Sequence, residues 1–429
     1  MVEFNAGLLV VLAFLVLVLI RTPVFIALAV PPIVYIFVKG FPLVFPAQRM
    51  VRMLDSYTLL AIPLFIFVGS LMNHGEITDK IFDFANSLVG HFDGGLAQVN
   101  IFTSLIFSGI SGSALADIGG IGRILIRAME NEGYDKSYAA ALTSASATVG
   151  PIFPPSIPLI IYGLVAQVSV LSLLIAGALP AVFAVITLMI GTAWIAKRDG
   201  LPNNGESLSA RRVLSTMRAA LPALLTPLVL LAGMFSGLFG PTEAAAFTTV
   251  YIILVNALYY RVLNLRYIWD AGVETVQTTG TVVIILGSAG LFSWVIAAEN
   301  VDNIFATLLF SVSQNPLVVL LLVNILLLVL GLFLDPIAAM IMSIPIVVPP
   351  LTQLGIDPVH IGVIMVFNLM LGLLTPPLGL SIFLSADVAD VPVSEVIKET
   401  KAYYVLLLVV LLVITYVPTV SLLLPSLMN

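Results

Sequence analysis

Residues 149–158 read Val-Gly-Pro-Ile-Phe-Pro-Pro-Ser-Ile-Pro, and residues 371–380 read Leu-Gly-Leu-Leu-Thr-Pro-Pro-Leu-Gly-Leu. Each lies inside a long apolar stretch, 136–165 and 358–385, of bilayer-crossing length. Proline removes a backbone donor and clashes with the preceding turn, so a Pro-Pro pair close to a glycine opens a helix there. At membrane depth, broken backbone is tolerated only where it lines a cavity or is buried in protein. The two stretches therefore predict two helices broken inside the membrane, each at a protein-lined site.

Ahead of each broken helix stands a region too long for one span and interrupted at mid-length. Residues 94–130 carry Ser108-Gly109-Ile110-Ser111-Gly112-Ser113, and 316–353 carry Gly331 and Asp335-Pro336. Each reads as two half-helices meeting inside the membrane, a re-entrant hairpin. The chain thus holds an internal repeat defined by the order of its breaks. In register, Gly150, Phe153, Pro154, Pro155 and Ser156 fall opposite Gly372, Thr375, Pro376, Pro377 and Leu378, and Gly109 and Ser113 fall opposite Gly331 and Asp335.

Further apolar runs near 6–21, 23–39, 58–74, 169–196, 219–239, 241–263, 278–299 and 402–425 complete an all-α polytopic membrane protein. Sixty per cent of the 429 residues are hydrophobic and 9% are charged, more apolar surface than a soluble fold can hide. The runs are continuous, without the period-2 alternation of a β-barrel. The first run lacks a basic leader and a small-residue cleavage site, so it reads as a retained span. With no cysteine there is no disulfide framework or thiolate chemistry, and the 17 Lys and Arg residues form no nucleic-acid patch.

Charge orients the repeat. Segments 75–95, 130–136, 197–218, 261–270 and 386–401 hold most of the Lys and Arg, while 165–169, 239–241, 300–315, 353–358 and 418–429 hold none. The first set is cytoplasmic by the positive-inside rule, and the hairpins then enter from opposite sides, as an inverted repeat requires. Lys39, Arg49 and Arg52 depart from the pattern, which predicts an interfacial helix at 46–56. Segments 75–92 and 264–277 read as matching amphipathic arms, and 199–218 as a connector. The expected organisation is N-terminal scaffold helices and first arm over 1–93, first transport repeat over 94–196, connector, scaffold helices and second arm over 197–277, and second transport repeat with the C-terminal helix over 278–429.

Interrupted helices leave carbonyl oxygens without helical partners, and such oxygens are ligands for a dehydrated hard cation such as sodium. One expected site draws on Gly109, Ser113, Gly150, Phe153 and Ser156, and its mate on Gly331, Asp335, Gly372, Thr375 and Leu378. The same glycines and serines also suit close helix packing, so for any single one both roles stay open. Half-helix N-termini favour anions. Ser111, Pro154 and Ser156 are the expected substrate-facing residues, with Arg123 as either a carboxylate partner or a snorkelling charge; Arg127, a turn nearer the cytoplasm, reads as snorkelling. Asp117 reads as a cap or an Arg123 partner, and Glu243, behind Gly240-Pro241-Thr242, as a helix-start acid. His74, His91 and His360 lack ligand spacing, and no catalytic motif stands out, so no transition metal, no cofactor and no enzyme are expected.

The run Ser111-Gly112-Ser113-Ala114-x-Ala116-Asp117, Glu132-Gly133-Tyr134-Asp135, and 139–158 resembles the large membrane subunit of tripartite ATP-independent periplasmic (TRAP) transporters. Arg21-Thr22-Pro23-Val24, Ile62-Pro63-Leu64-Phe65, Gly240-Pro241-Thr242-Glu243-Ala244-Ala245 and Thr375-Pro376-Pro377-x-Gly379 extend the likeness over essentially the whole chain. The resemblance implies an elevator-type ion-transporter fold in the bacterial inner membrane. It also implies a sodium-driven importer of carboxylates, such as sialic acids or C4-dicarboxylates. The implied partners are a periplasmic substrate-binding protein and a small four-helix membrane subunit, here expected as a separate chain. A stand-alone sodium/dicarboxylate symporter and a channel are the alternative readings.

Overall fold

The computed structural model describes residues 5–73, 75–202, 208–377 and 379–428, with the side chains of Gly75 and 108–111 outside that description. Helices α1 (Ala6–Leu19), α2 (Val24–Val38), α3 (Phe45–Leu54) and α4 (Ala61–Met72) are followed by the arm α5 (Gly75–Val89). The first hairpin descends as α6 (Gly95–Ser111) and returns as α7 (Ala114–Asp117), a π-turn at Ile118–Gly122, and α8 (Arg123–Asn131). The first broken helix is α9 (Lys136–Val149) and α10 (Ile157–Ala166), whose axes meet at 42°. Then come α11 (Val170–Asp199), α12 (Ala210–Phe235), α13 (Pro241–Leu254) and the 34-residue α14 (Leu265–Ala298). The second arm is α15 (Val301–Val312), the second hairpin α16 (Pro316–Phe333) and α17 (Pro336–Gln353), and the second broken helix α18 (Pro358–Gly372) and α19 (Leu380–Ala389). Helices α20 (Val393–Tyr416) and α21 (Thr419–Ser426) close the chain.

Both hairpins and both broken helices form where the sequence places them, and the fold is an all-α polytopic inverted repeat. Three expectations need correction. The segment expected as a second arm, 264–277, is continuous with the span after it: Gly272 and Gly280 weaken a helix without ending it when the flanking turns are packed. The element that precedes the second hairpin as α5 precedes the first is α15, which Glu299, Asn300, Asp302 and Asn303 disguise as a loop by hydropathy alone. Helix α12 starts nine residues before 219, because 210–218 contain no helix breaker and hold charge on an exposed face.

Helix α14 lies on α2, α3 and α4, and α13 packs on α4 and α12. Gly290 lets Met53 approach so closely that an added Cβ would stand 2.5 Å from its side chain. Beside it, Trp294 meets Phe41 and Phe45 edge-on, and the Arg49 guanidinium lies over Phe45 and Trp294. That stacking seats the basic interfacial helix α3. Lys39 pairs with Glu299 at 3.1 Å, and the Tyr35 hydroxyl donates to the same carboxylate. These partners, Tyr35 foremost, hold the Glu299 carboxyl below its ordinary value against the opposing effect of burial.

Buried hydrogen bonds join the two repeats. Each hairpin is tied to its broken helix by a buried amide. Asn100 on α6 donates to Thr143 at 2.7 Å and accepts from Ser146 at 3.0 Å, while Asn368 on α18 donates to the Asn324 side chain on α16 at 2.7 Å. Ser146 and Asn368 stand in the same register as Gly150 and Gly372, four residues before each glycine. The halves are joined by Tyr138 to Tyr403 at 2.7 Å and Ser144 to Ser381 at 2.8 Å. Gly331 and Gly372 touch backbone to backbone: a Cβ on Gly372 would lie 2.8 Å from the Gly331 Cα. Since backbone cannot swing aside, Gly372→Ala should lower stability by about 1–3 kcal/mol. Gly272→Ala, with nothing within 4 Å, should be neutral or mildly stabilising. Thermal unfolding of the two variants in detergent checks the contrast.

Candidate functional site

The first break is built from local hydrogen bonding. After α9, a 3-10 turn at Gly150–Ile152 ends in extended Phe153, and the Pro154–Pro155 bond is cis. Ser156 restarts the helix as N-cap, its Oγ accepting from the Leu159 N–H at 3.2 Å, and the same hydroxyl donates to the Pro151 carbonyl. One buried hydroxyl thus satisfies groups on both sides of the opening. At the second break, Pro376–Pro377 is also cis, and the Leu373 carbonyl accepts from the Ser381 hydroxyl at 2.7 Å and the Ser381 N–H at 3.2 Å. Pro151 and Leu373 are in register, so Ser381 does for the second half what Ser156 does for the first. The register drawn from the sequence sets Leu378 opposite Ser156, and Leu378 lies outside the described residues. A hydroxyl within a turn or so of each Pro-Pro pair was the available signal.

The hairpin tips follow the same logic. Gly112 has φ +65°, and a Cβ there would stand 2.9 Å from Ile157, so both conformation and space require glycine. Ser113 then caps α7, accepting from the Ala116 N–H at 3.3 Å. In the second hairpin Asp335 caps α17, accepting from Ile337 and Ala338 at 3.0 and 3.4 Å. Ser113 and Asp335, paired from the sequence, hold the same structural post with different charge.

Tips and breaks converge. A cavity of about 90 Å³ lies between them, lined by Gly112, Ser113 and Pro151 from the first half and by Asp335, Met370 and Leu373 from the second. Thr278 and Val282 of α14 and Ile66 of α4 form its opposite wall. A second cavity, about 80 Å³, lies between Gly331–Leu334 and Leu373 with Leu380, beside the second break.

Of the residues expected for the first cation site, Ser113 reaches the central cavity, while Gly150 and Ser156 are buried and Phe153 half-buried beside it. For the second, Asp335 lines the central cavity, Gly331 lines the smaller one, and Gly372 packs on Gly331. The Thr375 hydroxyl donates to the Leu371 carbonyl at 3.0 Å and lies 3.2 Å from the Tyr404 hydroxyl. The side chains of Gly109 and Ser111 fall outside the description. Pro154 is buried away from the cavity lining, and Arg123 is exposed on α8, also off the lining. Asp117 is buried at the end of α7.

These features define a membrane permease of the inverted-repeat class, with broken helices and re-entrant tips around one mid-membrane cavity. A solved structure, that of the YdaH transporter of Alcanivorax borkumensis, superposes with a TM-score of 0.63 over 96% of this chain and 97% of that one at 15% identity, a likeness of fold. Residues 11–420 match the family model described as the DctM component of the tripartite ATP-independent periplasmic transporter. The chain belongs to this family: it is a TRAP transporter large permease subunit, a multi-pass protein of the inner membrane. It is 42% identical to the sialic acid TRAP transporter large permease protein SiaM of Vibrio cholerae over 89% of this chain and 90% of that protein. The sialic acid TRAP transporter permease protein SiaT of Haemophilus influenzae is 38% identical over 97% and 68%, and the C4-dicarboxylate permease DctM of Pseudomonas aeruginosa 37% over 87% of each.

Removing the Ser381 hydroxyl takes a donor from the Leu373 carbonyl and the acceptor from Ser144. Ser381→Ala should therefore destabilise the protein by about 1–3 kcal/mol. Ser385→Ala, whose hydroxyl among the described residues bonds only back to Ile382, should lose less than about 1 kcal/mol; denaturant unfolding in micelles measures both.

Proposed function

We propose that this subunit imports an organic anion by sodium-coupled secondary transport. In this reading the hairpins and broken helices slide as one block against the scaffold of α2–α4 and α12–α14, an elevator mechanism. The observation that carries the proposal is the meeting of two capped tips and two hydroxyl-bridged breaks around one cavity. Interrupted helices at mid-membrane supply inward carbonyls for a cation and helix starts for an anion, with no need for a catalytic group.

Sodium is assigned to Gly109, Ser113, Gly150, Phe153 and Ser156 in one half and to Gly331, Asp335, Gly372, Thr375 and Leu378 in the other. The carboxylate is assigned to the surroundings of Ser111, Pro154 and Ser156, with Arg123 on the second leg as a charge that draws the anion in. A periplasmic binding protein delivers the solute, and a small four-helix membrane subunit completes the scaffold. Sialic acid is the favoured solute, on the names of the relatives at 42% and 38% identity; a C4-dicarboxylate is the second, on the relative at 37%.

Uptake of radiolabelled sialic acid and succinate into proteoliposomes holding this chain, its small subunit and its binding protein tests the proposal. Uptake of one solute that requires both sodium and the binding protein is expected. Import by this chain alone would favour the stand-alone symporter, and non-saturating flux without sodium a channel. Ser113→Ala and Thr375→Ala should each raise the sodium concentration for half-maximal uptake by about three- to tenfold, the loss of one favourable contact; unchanged values in both would remove the sodium assignment.

A further inference from the structure

Helix α14 presents two different exposed faces. Leu265, Trp269, Val273 and Val276 recur at helical spacing and are exposed and apolar, as a lipid contact requires. Asp270, Glu274, Gln277, Thr278 and Thr281 recur at the same spacing roughly a third of a turn away, and are exposed and polar. Exposed carboxylates and amides on a spanning helix mark water, not hydrocarbon. The polar face starts at the end bearing Arg261 and Arg266, the cytoplasmic end by the positive-inside rule, and runs to Thr278, about 20 Å along the helix. There it meets the central cavity, which Thr278 and Val282 line from the scaffold side.

Two of the threonines of α14 lack the usual helical bond, and one of them lines the cavity. Thr275 donates to the carbonyl of Ala271 at 2.7 Å and Thr281 to that of Gln277 at 3.1 Å, the usual way a helical threonine satisfies its hydroxyl. Among the described residues the hydroxyls of Thr278 and Thr279 make no such bond; that of Thr279 is buried, whereas Thr278 is exposed and borders the cavity between the tips. A donor and acceptor left open towards the cavity is available to whatever enters it.

We infer that Thr278 is a scaffold-borne solute contact, made only when the cavity communicates with the cytoplasm, and that the polar face of α14 is the wall along which the solute leaves. The inference rests on the transport reading above: the hairpins carry the solute and α14 stays with the scaffold, so a group on α14 meets it on one side of the membrane only. Thr278 therefore sets affinity for release and leaves capture untouched.

The chain has no cysteine, so Thr278→Cys creates a single thiol. In the assembled complex, a membrane-impermeant maleimide should label it in inside-out vesicles and not in right-side-out vesicles, and saturating sialic acid with sodium should slow that labelling several-fold. Val276→Cys, on the lipid face, should stay unlabelled from both sides. Thr278→Val, of equal volume, should raise the internal sialic acid concentration that half-saturates exchange by about three- to tenfold. It should leave the external half-saturation unchanged, and Thr278→Ser should behave as the unsubstituted complex. Labelling from neither side, equal labelling from both, labelling that solute does not slow, or equal shifts on both sides would overturn the inference. A complex that transports normally in these cases leaves the transport reading standing; one that moves neither sialic acid nor succinate fails that reading and this inference with it.

Discussion

Everything in this fold follows from the requirement that a peptide group inside hydrocarbon find a partner within the protein. A continuous helix meets it automatically, and this chain departs from continuity at four places near mid-membrane. At each one a short polar side chain takes over the missing turn: Ser113 and Asp335 cap the returning legs of the hairpins, and Ser156 and Ser381 bridge the openings of the broken helices. Because exposed breaks are forbidden, the four can exist only packed against one another. Their convergence on one cavity is thus a consequence of solvation as much as of function.

The same constraint decides how neighbouring elements are joined. Inside the block of hairpins and broken helices, buried amides and hydroxyls join elements pairwise: Asn100 with Ser146, Asn324 with Asn368, Tyr138 with Tyr403. A hydrogen bond in a low-dielectric interior is directional and expensive to leave unmade, so these contacts favour one arrangement of the elements they join. The scaffold around α14 relies on small residues and aromatic stacking, with Gly290 against Met53 and Trp294 among Phe41, Phe45 and Arg49. That packing fixes α3 at the membrane surface while leaving the cavity-facing side of α14 to carry polar groups.

The breaks were legible in the sequence because proline and glycine act locally: Pro154-Pro155, Pro376-Pro377, Gly112 and Asp335-Pro336 each dictate an interruption whatever surrounds them. What had to wait was anything set by packing. Hydropathy divided α14 at 277 because Glu274, Gln277 and the threonines look like a surface arm, whereas the structure runs them through an unbroken helix and brings Thr278 to the cavity. It hid α15 for the opposite reason, since a short helix with Asp302 and Asn303 near its start averages to a loop. Ser381 escaped because a register drawn through Gly150 and Gly372 pairs Ser156 with Leu378, although the hydroxyl that closes the second break enters from one helical turn further on.

The pseudo-symmetry is one of geometry and not of charge. Ser113 and Asp335 occupy equivalent caps, but only the second half places a carboxylate at the edge of the cavity. An ionised group there has little water to rely on, and its stability depends on donors and cations close by. Two of those donors are the Ile337 and Ala338 N–H groups at the positive end of α17, both taken by Oδ1. In the first half a neutral serine makes no such demand. The two halves therefore offer a solute and its companion ions unequal surroundings in nearly equal shapes, which lets one repeat bind differently from the other without altering the fold that both share.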